Sequence, residues 1–292
     1  MAVRSLKPGQ RSRIHLFDVE TNESTLVHES REVLYEAPNW THDDRLIVNA
    51  DGALFALAAA PGATPVPIVI DDVAPLNNDH VLAPDGEHIY ISTHDRQLYR
   101  VALEGGSATL ITDPDDGVMH FLHGVSPDGS TLAYIGLIVD DGRLLGANVY
   151  TIGVDGTGNR LIYDGGVADG SDFSPDGEWI YFNTEQFGSA PGHAQIARVR
   201  IDGSGLEQLT ADDRVNWFPH LAPFGDLAVY LSYPAGTTGH PADLRVQLRL
   251  VRGGDWSAPE VAVELDGGQG TLNVPSWSPD GRRFAYVDYP FD

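Results

Sequence analysis

Eleven histidines and not one cysteine stand in the 292-residue chain. Metal or acid/base chemistry would therefore fall to imidazoles and carboxylates, and disulfide, thiolate and cysteine-zinc chemistry are excluded. Two histidines follow a glycine near the far end of a long, turn-rich stretch: His193 after Glu185-Gln186-Phe187, and His240 in 233–243. Set side by side, His193, His240 and Glu185 make a mixed imidazole and carboxylate set of the kind that holds a divalent cation, with His120 or His220 in reach to extend it. The other reading of each is a plain turn or surface residue. A second set is polar throughout: Glu36, Asn78, His120, Asp169, Asn216 beside Trp217, and Asn273. Each stands five or six positions before a recurring Ser, Thr or Ala. Converging at one channel mouth, they would compose a small-molecule or cation site. They would equally serve to hydrate a channel and cap turns.

What must position these residues is a repeat. An aromatic or aliphatic residue, then Ser/Thr/Ala-Pro-Asp-Gly, then a short apolar strand recurs six times. The copies are Trp40-Thr-His-Asp-Asp44, Leu82-Ala-Pro-Asp-Gly86, Val125-Ser-Pro-Asp-Gly129, Phe173-Ser-Pro-Asp-Gly177, Leu221-Ala-Pro-Phe-Gly225 and Trp277-Ser-Pro-Asp-Gly281. Their fourth positions, Asp43, Asp85, Asp128, Asp176, Phe224 and Asp280, lie 42 to 56 residues apart. That is the span of a four-stranded propeller blade. The motif is turn chemistry: proline presets φ, aspartate bonds backbone amides two residues on, and glycine accepts positive φ. The aspartates are therefore structural. His80 and His123, in the column that holds Pro38, Pro219 and Pro275, read as packing residues of the innermost strand.

Each turn joins a first hairpin, and a second follows with a Gly-rich turn, as at Glu104-Gly-Gly-Ser and Asp202-Gly-Ser-Gly. Six first hairpins and six second hairpins can be counted, but the opening second hairpin (Ile14 to His28) has no first hairpin before it. The closing first hairpin, ending at Phe284 to Val287, has no second one after it. The expectation is an all-β, single-domain, six-bladed β-propeller of four-stranded antiparallel blades over 1–292. N-terminal strands would pair with C-terminal ones to close the ring and hide its edges, and residues 1–10 would form a flexible tail.

Forty-two acidic against 18 basic residues give a net charge of −24, and Lys7 is the single lysine. Such a surface repels phosphate backbones and anionic membranes, so nucleic acid and membrane partners are not expected. A small neutral or cationic ligand or a protein partner fits better. No apolar run approaches a membrane span, and the N-terminal residues read as no secretory signal, which makes the cytoplasm the expected location. The Gly-x-Gly pieces sit in hairpin turns rather than between strand and helix, so no dinucleotide site follows.

The repeat Trp-Ser-Pro-Asp-Gly-x-x-Ile-x-Phe, clearest at 173–182 and 277–287, resembles that of TolB-like propellers over nearly the whole chain. The same repeat builds TolB, the propellers of prolyl-oligopeptidase-like peptidases and oligogalacturonate lyases. The chain departs from each of them. It has no α/β domain ahead of the propeller, no Gly-x-Ser-x-Gly elbow, and six repeats where the lyases resemble a seven-bladed ring with a His-rich metal site. The resemblance implies a stand-alone propeller and leaves function to the loops. The first expectation is a non-enzymatic binding or protein-interaction propeller, its partner held on the loop-rich face of blades three to five, with Trp217 or Phe187 central to any apolar patch. The alternative is a metal-dependent hydrolase or lyase for a carbohydrate or lactone-like substrate, with His193 and His240 as ligands and Glu185 or Asp169 as acid/base.

Overall fold

A computed structural model describes residues 3–292. Six antiparallel blades make the ring, beside one short parallel pairing of Ile70–Asp71 with Gly106–Ser107, and there is no helix among the described residues. Each blade is a run of four strands from the central channel outward. In blade 4 these are Ala168–Phe173, Trp179–Thr184, Gln195–Arg200 and Glu207–Gln208. In blade 5 they are Val215–Leu221, Ala228–Tyr233, Leu244–Val251 and Glu260–Gly267.

The Pro-Asp-Gly turns form as their chemistry requires. Ser126 Oγ donates to Asp128 Oδ1 at 2.6 Å and accepts from the Thr131 amide at 3.0 Å, while Gly129 takes φ +72°. Blade 5 carries Ala222 and Phe224 instead, so that turn lacks both caps and leaves Phe224 exposed.

Blade 6 is assembled from both ends of the chain. Ser12–Asp18 pairs antiparallel with Arg283–Asp288, from Arg13 opposite Asp288 to Asp18 opposite Arg283, and Glu23–Ser30 forms the outer edge. The innermost run of this blade, residues 271–277, bonds through Thr271 and Ser276 carbonyls to the Val287 and Ala285 amides. Arg13 and Asp288 add an ion pair across the seam.

Residues 3–10 make several contacts with the ring. The Arg4 guanidinium pairs with Glu36, Lys7 pairs with Asp243 at 2.6 Å, and Gln10 is buried and bridges to Phe291. Residues 1 and 2 fall outside the described residues.

The innermost strands are not regular. Five of them carry a register shift, between Glu36 and Asn39, Leu76 and His80, Leu122 and Gly124, Asp169 and Asp172, and Trp217 and His220. In three the extra residue is left-handed: Ala37, Gly170 and Phe218. Such bulges re-aim the side chains beside them. At Gly170 a Cβ would stand 3.0 Å from the Phe218 backbone, so glycine is needed there for space as well as for φ.

Candidate functional site

The loops between blades and those joining second to third strands gather at one mouth of the channel. There the bulges turn a set of polar side chains into a cavity of about 240 Å³. Its lining is polar at Asn77, Asn78, Asp79, His123, Asp169, His240, Gln269 and Asn273 and apolar at Phe121, Ile135, Leu137 and Phe218, whose ring packs against His123 and His240. A second hollow of about 260 Å³ shares Asn77, Asn78, His240 and Gln269 and continues to Val3, Arg4 and Glu36.

A hydrogen-bond network runs through the polar lining. Arg4 donates to Glu36, and Asn78 Nδ2 lies 3.4 Å from the same carboxylate. Gln269 Nε2 donates to Asn78 Oδ1 at 3.2 Å, and Gln269 Oε1 accepts from Asn273 Nδ2 at 3.1 Å and from His240 Nδ1. His240 then presents Nε2 to Asp169 Oδ2 at 3.5 Å, and the other oxygen of Asp169 holds His123 Nε2 at 2.8 Å. Trp217 lies under His240, ring to ring at 4.7 Å.

The electrostatics of this lining are uneven. Burial alone would lower the pKa of His123, but Asp169 and Asp79 overcome it and hold the imidazole at about 9. Burial works against ionised Asp169 too, yet His123 and His240 keep it below the ordinary carboxylate range. Asp79 has no such support. It is 6% exposed, no donor among the described residues reaches its carboxyl group, and burial pushes it to about 7 despite the nearby His123. Burial also raises Glu36, with Arg4 and Asn78 pulling back. The lining therefore carries one carboxyl group, Asp79, that opens on the cavity with no donor from the described residues, as a ligand-facing group does.

Of the polar set read from the repeat, Glu36, Asn78, Asp169 and Asn273 meet here, with Trp217 packed behind. His120 and Asn216 do not. His120 is buried between blades, its ring nitrogens on the Arg96 carbonyl and Asp116. Asn216 is buried among Ser232, Gln195 and Asp212. The expected metal set is not assembled. His193 Nε2 faces the Asp212 and Arg214 carbonyls and its Nδ1 accepts from Ser189, while Glu185 accepts from the Gly192 amide within its own loop. His240 belongs to the Asp169 network instead. Among the described residues no three His, Asp or Glu side chains converge as a metal site. Asp79 and His123 were not expected here. The signal that would have found them is the bulge, which breaks the two-residue alternation on which the column reading rested.

No family model matches the chain. An uncharacterized protein of Agrobacterium fabrum is 40% identical over 295 residues, covering 98% of this chain and 95% of its own length. A solved structure presented as a candidate TolB from Agrobacterium tumefaciens superposes with a TM-score of 0.87 at 36% identity, over 96% of this chain and 99% of that one. The chain belongs to the TolB-like propeller family. An oligogalacturonate lyase from Vibrio parahaemolyticus shares the fold at a TM-score of 0.59 and 13% identity, over 96% of this chain and 77% of that one. No helix is long and apolar enough to cross a membrane.

Proposed function

We propose that this TolB-like propeller is a binding protein that holds a small polar molecule in the cavity at the loop-rich mouth. The observation that carries the reading is the mixed lining. Phe121, Ile135, Leu137 and Phe218 share the cavity with amides and carboxyl groups, and one of those, Asp79, has no donor among the described residues. Small-molecule sites are built this way, mostly apolar with a few convergent polar groups that fix orientation. The network through Gln269 keeps the polar groups in place before a ligand arrives, so little ordering is required on binding.

The test is a thermal-shift screen of a library of small neutral and cationic compounds on the wild type and on Leu137→Trp, which fills the cavity from one of its apolar residues. A ligand at 100 times its Kd stabilises by about 2.7 kcal/mol, a shift of several degrees at this size. Hits are expected on the wild type and absent from the filled variant. Hits that persist unchanged in Leu137→Trp would place binding elsewhere, and a screen without hits would remove the small-molecule reading.

A further inference from the structure

Counting the charges around the cavity narrows the ligand class. Glu36, Asp79 and Asp169 are three carboxyl groups, and Arg4, His123 and His240 are the basic groups set around them. All of them stand inside a protein of net charge −24. Two of the carboxylates have their cation in direct contact: Glu36 has Arg4 and Asp169 has His123. Asp79 is the one left over, and it lines the same cavity as Phe121 and Phe218.

We infer that the cavity takes an organic monocation, its ammonium-like head on Asp79 and its apolar body against Phe121, Ile135, Leu137 and Phe218. This rests on the ligand-binding reading above and names the class of ligand. An N⁺–H donor supplies the hydrogen bond and the direct counter-charge that Asp79 lacks, and aromatic faces favour a desolvated cation. A neutral molecule of the same shape would leave an ionised carboxylate unpaired in a low-dielectric cavity, and an anion would add to the excess.

In the empty site a proton does the same work, and this makes binding pH-linked. The charged and titratable groups that face Asp79 are His123, Asp169 and Glu36; His80, next along the strand, is fully buried and held uncharged by burial, its pKa near 3. Below about pH 7 Asp79 is protonated, so a bound ammonium must displace that proton. Amine affinity should then fall by up to tenfold per pH unit as the pH drops from 7 to 5. A primary ammonium, with a reference pKa near 10.4, stays charged over this range.

Three probes of one shape separate the possibilities: cyclohexylamine, cyclohexanol and cyclohexanecarboxylate, titrated by calorimetry at pH 8, 7, 6 and 5. At pH 8 the amine is expected to bind at least tenfold tighter than the alcohol and the carboxylate not at all. In Asp79→Asn that preference and its pH dependence should both disappear. The inference is overturned if the alcohol or the carboxylate matches the amine at pH 8, if the preference survives in Asp79→Asn, or if amine affinity is flat from pH 8 to 5. The last outcome is read on the wild type alone and decides even if Asp79→Asn fails to fold. Alcohol binding that equals amine binding and is lost in Leu137→Trp would sink the cation while leaving the cavity reading intact; binding of none of the three sinks the cation, and the library screen judges the cavity.

Discussion

Phe284→Ala is expected to destabilise the protein by about 3–5 kcal/mol and to lower its melting midpoint by roughly 10 °C. The residue is fully buried. Its ring lies 5.0 Å from that of Phe17 and 5.4 Å from that of Trp277, edge-on. Phe17 is also its register partner, so the pair packs directly across the seam between the two ends of the chain. In the other blades successive strands are joined through the chain itself, and a lost contact is partly compensated by covalent continuity. At this seam nothing covalent holds Ser12–Asp18 beside Arg283–Asp288, and opening it exposes two strand edges at once. The variant should therefore unfold faster as well as at lower temperature. Hydrogen exchange of the 12–18 amides should rise more than that of blade 3, far round the ring. Scanning calorimetry beside Arg282→Ala, an exposed neighbour for which a change within about 0.5 kcal/mol is expected, is the check. If Phe284→Ala behaves like Arg282→Ala, the seam is not what holds the ring closed.

The seam was legible before any coordinates because it followed from counting. A turn motif with its own local chemistry marks each first hairpin, a Gly-rich turn marks each second, and the unmatched halves at the two ends leave one way to close. Four of the polar mouth positions were legible for the same reason, since Glu36, Asn78, Asp169 and Asn273 occupy one column of the repeat. What was not legible depends on breaks in that repeat. The bulges are set by close packing at the channel axis, as at Gly170 against Phe218, and leave no turn signature. His123 shares a column with Pro38, Pro219 and Pro275, and that column did describe His80, which is buried and bonded to Asn39. Its neighbour in the adjacent blade decides the difference: Asn39 for His80, Asp169 for His123. The long loops misled in another way. His193 follows a glycine just as His240 does, but its loop folds back on itself through Glu185 and Gly192. Local backbone partners took the groups that spacing alone had offered to a metal.

The ion pair at the heart of the mouth gives the second large effect. Asp169→Asn is expected to destabilise the protein by about 3 kcal/mol near neutral pH, because removing one partner of a buried pair leaves the other uncompensated. The pH profile separates this from a loss of packing. His123 has a folded-state pKa of about 9, raised above its ordinary 6.5. Its contribution is therefore complete below about pH 6.5 and is lost as the pH rises through 9. Asp79 acts in the same direction over a lower window: its carboxyl group is raised to about 7, so its ionisation becomes a growing cost between its ordinary 3.8 and 7 and adds nothing further above that. The wild type should thus lose stability between pH 7 and 9, and His123 is the group responsible. In Asp169→Asn burial is left without its main opponent, and His123 should be neutral already at pH 7. The variant's midpoint should then be nearly level across pH 7 to 9, with its deficit to the wild type largest at pH 7 and shrinking towards 9. A deficit of constant size across that range would mean that Asp169 serves the mouth through shape and hydrogen bonding, and that the positive charge on His123 plays no part in holding it together.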